Sequence, residues 1–300
     1  MVAGNPMALL RRETAVRYGT VPDALGAIAV GPEEYALVGD EFLMRTKDGL
    51  AFHYRKHQGV TVELGAQADP ADEALYLNGS VYAAAASING FYPLHASAIA
   101  VDGQVVAFNG PAGAGKSTLI AELGRRGYPM VCDDTLILDI SASGPASGPI
   151  LALPGHKRLK LTASAFVLTG AAQEERVAQT IDKHYAAPAA GTITEMLPLA
   201  ALVLLTDGPR AVVERVRGGA CLRALQDDHY TQGLFLAANR PDRAARFAQL
   251  ARLAGAIRIY RFSRPHDIAT FSADVDVVEE QLHALATARA PSVESRERIV

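Results

Sequence analysis

Cysteine is scarce: Cys132 and Cys221 are the two in 300 residues. Neither a disulfide framework nor a cysteine-based metal site is expected from so few, and their spacing fits no known ligand pattern. Cys132 stands in an apolar run and reads as a buried free thiol. No run reaches the roughly 18 consecutive apolar residues of a membrane-spanning helix, so no membrane association is expected. Neither sign of charge dominates: 29 Lys and Arg face 32 Asp and Glu, for a formal charge of −3 and a pI near 6.2. That balance speaks against a nucleic-acid surface and against an anionic-membrane surface. The N-terminus lacks the charged-then-apolar order of a secretory signal, so a cytoplasmic location is expected. There is no internal repeat, and no N-K-x-D motif of the kind that reads guanine in Ras-like GTPases. What remains is 49% hydrophobic and 20% charged, an ordinary composition for a chain that buries a core.

Against that background one stretch stands out. Gly110-Pro-Ala112-Gly113-Ala114-Gly115-Lys116-Ser117 fills every fixed position of the phosphate-loop pattern G-x-x-x-x-G-K-[ST], and Thr118 follows. A chance match in a chain of this size is expected about once in a hundred. The context also fits. Gln104–Asn109 is apolar and β-rich, and Ser117–Arg126 carries Leu119, Ile120 and Leu123 at helical spacing before Gly127. The glycines let successive backbone N–H groups curl around an anion, and the helix N-terminus adds its unpaired donors. Lys116 is placed to bridge phosphates, and Ser117 to offer a hydroxyl to Mg²⁺.

Residues 1–70 read as a small antiparallel β unit. Strands are expected at Glu34–Val38, Phe42–Arg45, Leu50–Arg55 and Val60–Leu64, with turns at Asp48-Gly49 and Gln58-Gly59. The polar stretch Ala68–Glu73 suggests a linker, and an Ala-rich helix over Leu75–Ile88 opens a second domain, 71–290. Further strands are expected at Met130–Cys132, Thr135–Ile140, Leu199–Leu205 and Ala256–Phe262. Helices are expected at Cys221–Gln226, at Pro241–Ala254 (Phe247, Leu250, Ala251 and Ala254 on one face) and at Val275–Ala288. Ser141–Pro149 reads as a hairpin loop, and 291–300 as a polar tail.

Asp133 and Asp134 follow Lys116 by 17 and 18 residues, at the end of an apolar run. A carboxylate at a neighbouring strand tip is what phosphate-loop enzymes use to hold Mg²⁺. Two in succession can divide the work, one toward the metal and one toward an incoming hydroxyl. His95 lies 15 residues before Gly110; by itself such a histidine is more often structural. Arg158 and Lys160 are candidates for the extra cation that phosphoryl transfer recruits. Lys183-His184 follows a polar stretch and suggests a substrate loop.

The set His95, Gly110 through Ser117 and Asp133-Asp134 resembles the catalytic core of the HPr kinase/phosphorylase family. Leu153–Leu161, Pro198–Leu205 and Ile259–Pro265 extend the resemblance over roughly 75–285. It implies an α/β phosphate-loop kinase domain akin to phosphoenolpyruvate carboxykinases, behind a small β-rich N-terminal domain. It also implies ATP and Mg²⁺ as cofactors, and oligomerisation. By resemblance Asp133 is the general base toward a serine hydroxyl, His95 tunes the Asp pair, and Lys116 and Ser117 hold phosphates and metal. Asp134 would contact metal-bound water; which Asp takes which role stays open. The family's Glu-containing Arg-Gly-x-Gly signature has no match here, which leaves open any phosphorylase activity and HPr as acceptor. The chain looks more like HPr-kinase-related enzymes of peptide-modification pathways, one group of which phosphorylates the C-terminal serine of lasso-peptide precursors. The expectation is an ATP/Mg²⁺-dependent kinase acting on a serine of a peptide or protein. A nucleotide-switched binding module and a small-molecule kinase stand as alternatives.

Overall fold

The computed structural model describes residues 5–66, 68–140, 148–179, 181–225, 230–238 and 243–287. The expected tail 291–300, and 141–147 of the expected hairpin loop, lie outside them. The architecture is mixed α/β with several sheets.

The first sheet runs Val16–Tyr18, Gly59–Glu63, Ala51–Arg55, Glu41–Arg45, Tyr35–Val38. Its last four strands form an antiparallel meander in the order of the alternating runs, and Gly49 takes the positive φ its turn requires. Val16–Tyr18 adds in parallel beside Gly59–Glu63, and the helix Pro6–Glu13 precedes it, neither of which was expected. Phe42, Phe52, Tyr54, Val60 and Val62 bury against Val81, Ala83–Ala85 and Leu234, so this sheet and the helices behind it share one apolar layer. The linker expected at Ala68–Glu73 is instead the start of a helix, Pro70–Tyr76. Asp69 is its N-cap, accepting from the Ala71 N–H, and Pro70 sits in its first turn. The polar composition there is capping chemistry. The helix continues through a π-helical turn, Leu77–Val81, into Tyr82–Ile88.

The large sheet has nine strands among the described residues. Met130–Cys132, Ala96–Val101, Gln104–Asn109 and Leu197–Asp207 follow one another across it. The 104–109 and 197–207 strands are parallel. The eleven-residue Leu197–Asp207 strand belongs to two branches. Its first residues pair with Leu151–Leu153, which leads to Leu136–Asp139 and Tyr92–Leu94. Its later residues run parallel to Arg258–Arg264, which pairs on its other side with Val212–Arg215. Helices Lys116–Arg125 and Phe271–Thr287 cover one face of the sheet, burying Leu119, Ile120 and Leu123 with Val275, Val278 and Leu282. Helices Gly219–Ala224, Tyr230–Ala238 and Arg243–Ala256 cover the other through Leu225, Phe235, Leu250 and Leu253. Burying each such side chain contributes about 2 kcal/mol. Phe247, expected on the buried face, is 61% exposed; the inward stripe is Leu250, Leu253 and Ile257. Its phase is set by what the sheet presents. No helix of the described residues is long and apolar enough to cross a membrane.

Candidate active site

The glycine-rich loop 110–115 leaves the C-terminal end of the 104–109 strand and enters the helix Lys116–Arg125. Gly113 and Gly115 have φ of +84° and +81°, the left-handed region where a Cβ is strained. A Cβ on Gly115 would also stand 2.6 Å from a nitrogen of Arg264. Lys116 is buried and donates to the carbonyls of Gly110 (2.7 Å) and Pro111 (3.1 Å). Ala112, Gly113, Gly115, Lys116, Ser117 and Thr118 line a cavity of about 580 Å³, which His95, Asp134, Lys160 and Lys183 reach from the opposite side. Ala114 is buried, and its carbonyl accepts from Arg264.

Asp133 and Asp134 sit between two short strands of different branches, and their environments diverge. Asp133 is 1% exposed. Its Oδ1 accepts from Ser97 Oγ (2.6 Å) and Ser117 Oγ (2.9 Å), and its Oδ2 accepts from the Lys160 N–H (2.9 Å). Asp134 has φ +78°, an unusual value for a non-glycine residue. This turns its carboxylate into the cavity, where it meets Lys160 Nζ at 2.9 Å. Burial works against the Lys160 charge, but the Asp134 carboxylate outweighs it and holds the ammonium above its ordinary range. His95 Nδ1–H donates to the Asp134 carbonyl at 3.0 Å and lies 3.3 Å from its Oδ1. The Ser117 hydroxyl is therefore engaged by Asp133 and not by Asp134.

Two expectations change. Arg158 is not brought to the cavity: its guanidinium is engaged by Glu174 and Glu175 and stacks 4.0 Å from the Tyr185 ring centroid. Those glutamates lie 16 and 17 residues later, beyond the reach of a local reading. Lys183-His184 is not a loop but part of the strand Ile181–Ala186, paired on both sides by Leu159–Leu161 and Arg176–Ala178. Lys183 does line the cavity from that strand.

Sequence reasoning passed over Ser97, Thr162, Ser164, Arg264, His266 and Asp267, all of which line the cavity. The one local signal was Arg264-Pro-His-Asp267 at the end of an apolar strand, where ligands gather in sheets with parallel strands.

The residues present fit a Mg²⁺–nucleotide. The Ser117 hydroxyl and the Asp133 carboxylate are neighbouring hard oxygen donors. Among the described residues no group of three or more His, Cys, Asp or Glu is arranged to hold a metal alone.

No protein-family model matches the chain, and no curated protein matches it in sequence. Among solved structures it is similar to the Hpr(Ser) kinase/phosphatase from Coxiella burnetii, at 15% identity over 63% of this chain and 95% of that one, with a TM-score of 0.31. The likeness is distant.

Proposed function

We propose that the chain is an ATP- and Mg²⁺-dependent kinase that transfers the γ-phosphoryl group to a serine hydroxyl of a peptide or protein. The observation that carries this is the division of the aspartate pair. Asp133 is bonded to the phosphate-loop serine, and Asp134 is turned into the cavity between His95 and Lys160. The second carboxylate faces the cavity, where an acceptor hydroxyl would have to come. The serine acceptor and the peptide class rest on the motif resemblance, and lasso-type precursor peptides are the first acceptors to assay.

In this reading the phosphates sit in the loop under Lys116, with Ser117 and Asp133 as the protein's share of the metal's oxygen shell. When bound, Mg²⁺ draws charge from the phosphate oxygens. Asp134 accepts a hydrogen bond from the acceptor hydroxyl and aims its oxygen at the γ-phosphorus. A new O–P bond forms, the bond to the β–γ bridging oxygen breaks, ADP leaves, and the hydroxyl proton passes to Asp134. Because such transition states are loose, orientation matters more than early proton removal, so a carboxylate already paired with Lys160 suffices. His95 holds the backbone carbonyl of Asp134 and with it the left-handed turn. This assigns Asp133 to the metal side and Asp134 to the acceptor side, the reverse of the order the resemblance implies.

The test is transfer of label from γ-labelled ATP with Mg²⁺ to serine peptides. Asp134→Asn should slow transfer by about a thousandfold with nucleotide affinity little changed. Asp133→Asn should instead weaken binding of the metal–nucleotide pair. Transfer by Asp134→Asn at the wild-type rate would sink the assignment, and nucleotide binding without transfer to any hydroxyl would favour the switch reading.

A further inference from the structure

Arg264 closes the strand Arg258–Arg264 and is 5% exposed. Its guanidinium lies in the wall of the cavity, between the rings of Phe271 (5.7 Å) and Phe262 (6.0 Å). Five N–H donors are available on a guanidinium, and among the described residues one hydrogen bond is made, to the Ala114 carbonyl at 3.1 Å. Among the described residues no carboxylate comes within 4 Å of it, although Asp207 and Asp274 are near enough to be felt. Burial pushes its pKa below the ordinary arginine range, and Asp274 and Asp207 offset that only in part. A buried charge held this way is costly unless something pairs with it. It sits 2.6 Å from where a Gly115 Cβ would be, directly against the phosphate loop.

We infer that Arg264 is the arginine of the donor site, supplied from within the chain, and that its missing partner is the polyphosphate seated in the loop. Lys116 reaches the phosphates from the helix and Arg264 from the far strand, a planar fork opposite a point charge. In this role it stabilises the charge carried by the phosphoryl oxygens as the bond to the leaving group lengthens. The inference rests on the donor-site reading above and adds to it the cation that Arg158 does not provide.

Arg264→Met keeps a stem between Phe262 and Phe271 and removes the charge. Tripolyphosphate, which has no base or ribose, is the probe for binding by calorimetry, alongside ATP with Mg²⁺. For the methionine variant we expect tripolyphosphate affinity and transfer rate each to fall about a hundredfold, while the ligand-free protein melts at or above the wild-type temperature. Arg264→Lys should recover part of the binding, and Arg264→Gln none. Tripolyphosphate affinity within twofold of wild type in Arg264→Met overturns the inference. So does failure of that variant to fold, because it would make the guanidinium a structural latch on Ala114. Wild-type protein that binds tripolyphosphate but transfers no phosphoryl group overturns the kinase reading alone. Wild-type protein that binds neither probe overturns both.

Discussion

Glu13 and Arg264 are both charged groups taken out of water, and they differ in what the rest of the chain supplies to them. Glu13, at the end of the first helix, is 0% exposed. Its carboxylate accepts from Arg12, from the Tyr54 hydroxyl at 2.9 Å and from the His57 N–H at 2.7 Å. Burial by itself would raise its pKa, but these donors outweigh burial and hold the carboxyl below its ordinary 4.5. Arg264 has one carbonyl and no carboxylate within ion-pair distance among the described residues. A complete set of partners ties the first helix to its sheet and serves the fold. The incomplete set beside the glycine-rich loop is the one that the inferred polyphosphate would complete.

The contrast can be broken most sharply from the Glu13 side. Glu13→Ala leaves the Tyr54 hydroxyl and the His57 amide without their acceptor, and should cost about 3 kcal/mol in urea unfolding while sparing tripolyphosphate affinity. Wild-type stability with weakened phosphate binding would erase the distinction between the two charges. The same reasoning predicts an acid limb. The Glu13 contribution is fully present above pH 4.5 and is lost as pH falls through the lower folded value.

A smaller effect is expected at His156, whose ring lies 5.6 Å from that of Tyr185. Burial first, and then Lys160, push its pKa below 6.5. Above 6.5 the imidazole is neutral whether folded or unfolded and adds nothing. As pH falls through 6.5 the unfolded chain takes up a proton that the folded chain resists, so stability declines. The loss should be no more than about 1 kcal/mol per unit of pH, and His156→Phe should lack it when urea midpoints are compared across that range.

The smallest effect should come from Arg158→Ala. Its partner Glu175 is largely in water and Glu174 partly so, and solvent-screened pairs of that kind contribute little. Transfer rates within about twofold of wild type, with little change in melting temperature, are expected. A large drop in transfer would return Arg158 to the site and weaken the case for Arg264.

Much of the scaffold was legible because its causes are local. The alternating runs of 35–63 produce a meander, and the apolar spacing after Gly115 produces the loop's helix. Asp133-Asp134 falls between two strands because charge interrupts the apolar run. Where local reading failed, either a local cap was taken for a linker or a distant partner decided. Ala68–Glu73 looked like a linker until Asp69 and Pro70 proved to be a helix cap. Phe247 satisfied helical spacing as well as Leu253 does, and only the sheet beneath selected Leu253. Arg158 and Lys160 alternate identically in sequence; Glu174 and Glu175 took one, and Asp134 took the other.

By itself the sequence determined the glycine-rich loop and the helix it opens, since glycines at fixed offsets, a lysine and a serine act through the backbone they belong to. It also placed two carboxylates within reach of that loop. Which carboxylate meets the Ser117 hydroxyl and which turns into the cavity was decided by the left-handed turn at Asp134 and by Lys160, 26 residues away. Arg264, 150 residues from Ala114, entered the site because its strand runs parallel beside Leu197–Asp207. Parallel neighbours deliver their C-terminal residues to the same edge of a sheet, whatever the length of chain between them.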